Sequence, residues 1–224
     1  MISVAIDGPA GAGKSSLSRK VAEHFGFIYV DTGALYRTVG LMFAQHGADT
    51  ELNCNIEEIL ALTKVEMKFV NGEQRVFLNG EDVSEKIRTP EASMMASAVS
   101  AKPEVRAFLL EMQREMAKNN NVVMDGRDIG TVVLPNAEIK IYLTASVEDR
   151  AKRRYDELIA KGQEVTFQDV CEDMIKRDYN DMNRATAPLK QADDAVLADT
   201  TGFRFEDSLN LLINIVEKGI EAIK

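Results

Sequence analysis

Positive charge is scarce in this 224-residue sequence: 27 lysines and arginines face 36 aspartates and glutamates, a formal net charge of −9. A general nucleic-acid binder must neutralise phosphates with a basic surface, so this balance argues against one and leaves room only for a local arginine cluster. Cysteine is nearly absent. Cys54 and Cys171 are far apart in the chain and stand in no ligand motif, so both read as plain thiols rather than metal ligands. Histidine is limited to His24 and His46, each near a predicted helix end with no partner in sequence. Both read as structural, and no general base suggests itself. No basic-then-apolar leader opens the sequence and no apolar run reaches membrane-spanning length, so a soluble, cytoplasmic chain is expected. Internal repeats and low-complexity tracts are also missing.

What is present is an ordinary globular balance, 45% hydrophobic and 28% charged, in a length that buries a full core without disulfide or metal staples. Five short apolar runs read as strands: Ile2–Ile6, Phe27–Val30, Val122–Met124, Ile139–Leu143 and Ala195–Leu197. Uninterrupted apolar runs of that length suit strands covered on both faces, as in a parallel sheet. Helical patterns alternate with them at Ser15–Phe25, Ala34–His46, Glu104–Lys118 and Val147–Lys161. A last helix sets Phe205, Leu209, Leu212, Val216 and Ile220 on one stripe. Gly47 and Gly162 supply helix stops, and Pro103 suits a first helical turn. Strands alternating with helices predict a doubly wound α/β fold around a five-stranded parallel sheet.

One stretch breaks the alternation. Val65–Val70, Gln74–Leu78 and Glu81–Val83, separated by Asn71-Gly72 and Asn79-Gly80, read as a small antiparallel meander. Asn-Gly pairs provide the positive φ that tight hairpins need. The meander is either a decorative hairpin or a flap over a ligand, and its own pattern does not choose.

Gly8-Pro9-Ala10-Gly11-Ala12-Gly13-Lys14-Ser15 matches G-x-x-x-x-G-K-[ST] and lies between a buried strand and a helix that continues through Ser16. The glycines let backbone N–H groups converge on one point, and the helix N-terminus adds its partial positive charge. Lys14 reaches the β- and γ-phosphates of a bound ATP, and the Ser15 hydroxyl can ligate Mg2+. The sheet is therefore expected to be of the P-loop NTPase type.

Two arginines follow core strands on the edge that holds this loop: Arg37 in Asp31-Thr32-Gly33-Ala34-Leu35-Tyr36-Arg37, and Arg127 in Asp125-Gly126-Arg127-Asp128. Open α/β sheets bind ligands at that edge. Arg177 and Arg184 flank Asp178, Asp181 and Asn183 in a polar stretch before the last strand, and Arg150, Arg153 and Arg154 fall on the helix after the fourth. Guanidinium forks match phosphate oxygens in pairs. A phosphate acceptor suits this set better than an alcohol. A phosphate oxygen is already ionised and needs no base, only neutralisation so that two anions can approach.

These four segments, Gly8–Ser15, 31–37, 125–133 and Asn183-Arg184-Ala185-Thr186-Ala187-Pro188-Leu189, in this order, resemble the bacterial cytidylate kinase family from the first strand to the last helix. The resemblance implies phosphate transfer from ATP to CMP or dCMP by a core, an arginine-rich helical lid and a CMP-binding insert. It tilts the meander toward function. It implies that Thr32 and Arg37 hold the acceptor phosphate, that Ser97, Arg106 and Asp128 read cytosine, and that Asp181 holds the ribose. Arg127, Arg177 and Arg184 should bridge acceptor and donor phosphates, with Arg153 and Arg154 near ATP. Thr32 stands where many relatives have serine, and Ser93 and Ser100 are close rivals of Ser97. The expected layout is one kinase domain, a monomer, with core 1–62, 95–146 and 181–224, insert 63–94 and lid 147–180. Competing readings are a kinase for UMP or AMP, a nucleotide-dependent switch ATPase, or a nucleotide-binding module without catalysis.

Overall fold

Residues 1–70, 73–160 and 162–223 are described by a computed structural model. Among them the chain divides into two compact units, one of Met1–Tyr29 with Ala117–Lys224, the other of Val30–Met116.

The first unit is built on a parallel sheet. Its strands are β1 (Ser3–Asp7), β2 (Ile28–Asp31, whose first two residues belong to this unit), β6 (Val122–Gly126), β7 (Ile139–Thr144) and β8 (Val196–Asp199), in the order β2-β6-β1-β7-β8. β1 runs parallel to both β6 and β7, pairing Ile6 with Asp125 and with Ile141. Helices α1 (Lys14–Phe25) and α8 (Phe205–Ile223) pack on the sheet, and α6 (Val147–Ala160) and α7 (Phe167–Asn183) pack on each other. The core joins Val4, Ile6, Leu17, Val21, Val123, Ile141, Leu143, Leu212 and Val216. Burial on both faces is why the strands are apolar without alternation. A single π-helical turn, Ile129–Val133, follows β6.

The second unit holds an antiparallel sheet, β3 (Val65–Val70), β4 (Glu73–Leu78) and β5 (Glu81–Asp82), with α2 (Thr32–Gln45), α3 (Ile56–Ala61), α4 (Pro90–Ser100) and α5 (Pro103–Asn119). Leu35, Phe43, Val76, Leu78, Val83, Val99 and Leu109 form its core. Gly40 on α2 lies so close to α4 that an added Cβ would stand 2.9 Å from Met95 Cβ.

The expected strands and helices appear with ends shifted by a residue or two. The hairpin turn at Asn71-Gly72 lies outside the described residues, as does Lys161, the expected end of α6. The polar stretch around Arg177 and Arg184 is a seventeen-residue helix, α7, with Arg184 at its C-terminal cap. Thr166 caps it: the Asp169 N–H donates to Thr166 Oγ1, and Thr166 Oγ1 donates to Asp169 Oδ2 at 2.6 Å. No helix of the described residues is long and apolar enough to cross a membrane.

Candidate active site

The phosphate loop begins where β1 ends. Gly8 passes so close to β7 that a Cβ there would stand 1.9 Å from the Leu143 carbonyl oxygen, so only glycine fits. Gly13 caps α1 and carries no side chain to occupy the first-turn amides, which leaves that end of the helix to an anion. Lys14 is buried, and its Nζ donates to the Pro9 carbonyl at 2.6 Å, across the loop it belongs to. Burial, then the nearby Arg127, push this ammonium well below its usual value, while Asp125 and Asp181 pull it back up. A phosphate oxygen beside Lys14 would oppose that shift by giving the ammonium an anionic partner.

Asp125 is the penultimate residue of β6, next to β1. Its Oδ2 accepts from Ser15 Oγ at 3.0 Å and its Oδ1 from the Tyr29 hydroxyl at 2.9 Å. A hydroxyl and an oriented carboxylate are hard oxygen donors of the kind that Mg2+ takes when it also binds substrate phosphates. Sequence reasoning named Ser15 alone for the metal and passed over Asp125, although it stands inside a motif singled out there. Its position at the carboxyl end of an apolar strand was the available signal. Among the described residues no group of three or more His, Cys, Asp or Glu side chains could hold a metal alone.

Beyond β6 the chain assembles an alternating charge network. Arg127 Nε donates to Asp181 Oδ2 at 2.8 Å. Arg184 lies 3.9 Å from Asp181 and donates to Asp128 Oδ1 at 3.2 Å. Burial opposes the Arg127 charge but Asp181 outweighs it and holds the guanidinium above its usual value; burial likewise pushes Asp181 up, but Arg127, Arg177 and Arg184 bring it below the ordinary carboxylate range. Arg127, Arg177, Asp128, Asp181 and Arg184 are thus gathered in the unit that carries Lys14. Asp128 pairs with Arg184, the C-terminal cap of α7. Its main chain is anchored by the π-helical turn, where Asp7 accepts from the Ile129 and Gly130 N–H groups at 2.7 Å each. Burial lifts the Asp7 carboxyl to about 6, against the lowering effect of those two N–H groups.

On α6, Arg153 donates to the carbonyls of Ala12 and Thr200 at 3.4 and 3.0 Å, which puts it against the phosphate loop. Arg154 makes a surface pair with Glu157.

In the second unit Asp31 caps α2 and binds Arg37 Nη2 at 2.9 Å, beside the buried Thr32. Gln74, on β4, holds both backbone groups of Asp31: its Oε1 accepts from the N–H at 2.8 Å and its Nε2 donates to the carbonyl at 3.4 Å. Pattern reading gave Gln74 no role, because a strand polar residue facing a distant backbone leaves no local mark. Arg106 is buried, donates to the Ser100 carbonyl at 3.2 Å and lies 5.6 Å from the Tyr36 ring centre. Ser93 and Ser100 donate their hydroxyls to carbonyls one turn or less back on α4; Ser97 is half-buried on the same helix.

The fold and the loop chemistry define a P-loop phosphotransferase, an enzyme class that moves phosphate by charge neutralisation and positioning. The chain belongs to the cytidylate kinase family, phosphotransferases that act on a phosphate acceptor: the family's model matches residues 4–218. A cytidylate kinase of Caldicellulosiruptor bescii is 50% identical over 220 residues, covering 98% of this chain and 97% of that one. Another, of Carboxydothermus hydrogenoformans, is 48% identical over 215 residues, covering 95% and 96%. An uncharacterized protein from Eubacterium ventriosum, 12% identical, shares the fold with a TM-score of 0.54 over 97% of this chain and 99% of its own.

Proposed function

We propose the following division of labour for the reaction of this family in this chain, transfer of the γ-phosphate of ATP to CMP or dCMP with CDP or dCDP as product. The observation that carries it is the convergence of Lys14, Asp125, Arg127, Asp181 and Arg184 at the carboxyl ends of β1 and β6.

ATP lays its phosphates along Gly8 to Ser16, where backbone N–H groups and the α1 terminus receive them. The Lys14 ammonium exchanges the Pro9 carbonyl for oxygens of the transferring group. Ser15 and Asp125 would hold Mg2+, which supplies positive charge to the β- and γ-oxygens when bound. Arg153 steadies the loop from α6, and Arg154 supports the ATP side.

Thr32 and Arg37 take the phosphate of the acceptor, with Asp31 keeping the guanidinium aimed. Arg106, Ser97 and Asp128 read the cytosine ring. Ser97 is favoured over its neighbours because Ser93 and Ser100 already serve helix carbonyls. Asp181 binds a ribose hydroxyl while retaining Arg127. Arg127, Arg177 and Arg184 neutralise the two approaching phosphates, and no residue is asked to remove a proton, since the acceptor oxygen is ionised already. The working form is a cytoplasmic monomer with core 1–62, 95–146 and 181–224, a CMP-binding insert at 63–94 and a lid at 147–180.

A coupled assay with ATP, Mg2+ and each of CMP, UMP, AMP and GMP tests this. CMP should give the highest kcat/KM. An enzyme that prefers AMP or UMP, or hydrolyses ATP without an acceptor, would overturn the assignment.

A further inference from the structure

The apex of the phosphate loop is gripped by a buried ion pair to which the transfer chemistry above gives no task. Arg150, in the first turn of α6, sets Nη1 2.7 Å from Asp178 Oδ2 in an ion pair and donates it to the Ala10 carbonyl at 2.9 Å. Its Nε donates to the Ala145 carbonyl at 2.9 Å. The other oxygen of Asp178 accepts from the Ala10 N–H at 3.3 Å. Both backbone polar groups of the third loop residue are therefore bound by one ion pair, and Arg150 and Asp178 are only 4% and 7% exposed.

The next residue tells the same story by packing. Gly11 adopts φ +71°, and a Cβ there would stand 2.7 Å from Met174 Cε and 3.1 Å from the Arg150 carbonyl oxygen. Met174 lies one turn before Asp178 on α7 and packs with Ala151, Leu158 and Val170, the cluster that joins α6 to α7. The α6–α7 hairpin is thus pinned to the loop by shape at Gly11 and by directed hydrogen bonds at Ala10.

Stability alone does not account for the pair. Apolar residues of similar volume commonly hold a buried position as well as an ion pair does, or better. What they lack is direction. Arg150 and Asp178 orient a backbone segment, and the helix that supplies Asp178 also carries Arg177 and Asp181 and ends at Arg184.

We propose that Arg150 and Asp178 are positioning residues for phosphoryl transfer, holding the phosphate loop and the charged groups of α7 in one register. This rests on the reading that the loop takes ATP and that Arg177 and Arg184 neutralise the transferring phosphate. With the pair in place, Lys14 and the α7 arginines face the same phosphate. Without it the loop apex loses its directed bonds to α6 and α7 and keeps the packing of Met174 at Gly11, which fixes distance less well than angle-dependent bonds.

The double variant Arg150→Met/Asp178→Leu tests this, because it removes the pair and leaves no unpaired buried charge. Folding is followed by circular dichroism and thermal unfolding, ATP affinity by calorimetry without acceptor, and kcat and KM for each substrate by coupled assay. The expected result is a folded protein whose ATP affinity falls about tenfold and whose kcat falls by about a hundredfold, the effect of a small misplacement of reacting groups. The KM for CMP should stay near that of the parent. Arg150→Lys retains the charge but cannot reach the Ala10, Ala145 and Asp178 oxygens together, so it should fold and show a smaller loss in the same two quantities. A folded double variant with parental ATP affinity and kcat would overturn the proposal, as would a parental Arg150→Lys enzyme if the double variant does not fold. Equal losses in ATP affinity and in KM for CMP, together with a lowered melting temperature, would show general loosening and overturn it too. A parent that binds no ATP would instead overturn the donor-site reading itself.

Discussion

Replacing Asp128 by alanine should shrink the preference for CMP over UMP, and the structure separates two contributions to that effect. Asp128 is buried at 4% exposure and its Oδ1 accepts from Arg184 Nη2 at 3.2 Å. Its carbonyl accepts from the Val132 and Val133 N–H groups at 2.9 and 3.1 Å, so the main chain stays in place when the side chain is cut back. The first contribution runs through Arg184, which loses a carboxylate partner; that weakens phosphate neutralisation for any acceptor and cancels in a ratio. The second runs through the base. Cytosine presents an amino donor where uracil presents an oxygen, so an ionised Asp128 accepts from one and opposes the other. A charge-assisted bond of this kind is worth about 1.5–3 kcal/mol, or roughly ten- to a hundredfold in specificity. The kcat/KM ratio of CMP to UMP should therefore fall by that factor, chiefly by loss on CMP, on top of a loss common to both. Asp128→Asn should move the ratio in the same direction, because an amide can turn its N–H toward the uracil oxygen. Steady-state assays with both nucleotides at fixed saturating ATP measure it. An unchanged ratio with equal losses would refute base reading and leave Asp128 as no more than the partner of Arg184.

Lys14→Ala should lower kcat by about a hundredfold or more with an unchanged circular dichroism spectrum, since the ammonium is asked to stabilise charge in the transition state; turnover within about tenfold of the parent would contradict that role. Asp125→Asn should raise the Mg2+ concentration for half-maximal rate by about tenfold or more while ATP binding without metal is kept, and an unaltered Mg2+ dependence would remove Asp125 from the metal site. Asp7 gives a pH signature. Its folded value of about 6 lies above the unfolded 3.8, so the folded state holds this proton longer and stability is lost as pH rises from about 4 to about 6. The shift corresponds to at most about 3 kcal/mol. Asp7→Asn lacks the titration, so urea unfolding from pH 4 to 7 should show the stability difference moving in favour of the variant by up to that amount; a difference independent of pH would disprove the raised carboxyl.

The sequence and the structure divide the work in a way that follows from the range of the forces. Features that a few adjacent residues determine were legible in the chain. Gly8–Ser15 states its own chemistry, because a loop that presents backbone N–H groups to phosphate needs glycine at fixed spacing between a strand and a helix. The strands Ser3–Asp7, Val122–Gly126 and Ile139–Thr144 were legible because burial on both faces demands unbroken apolar runs. The helix α7 was expected only as part of the helical lid that the resemblance implies, not from its own pattern. Its inward face runs Val170, Met174, Asp178, Asp181, placing two carboxylates where apolar side chains normally stand, while Ile175, Tyr179 and Met182 are exposed. The amphipathic pattern is inverted over its second half because those aspartates answer Arg150 and Arg127, residues far away in sequence whose contacts no local rule anticipates. The same holds for Asp125 with Ser15, separated by 110 residues, and for Gln74 with Asp31. Sequence alone determined the class of fold and the family. Only the tertiary structure decided which carboxylate each arginine keeps, since a charge is paired by whatever opposite charge the fold brings within about 4 Å, and spacing along the chain does not encode that distance.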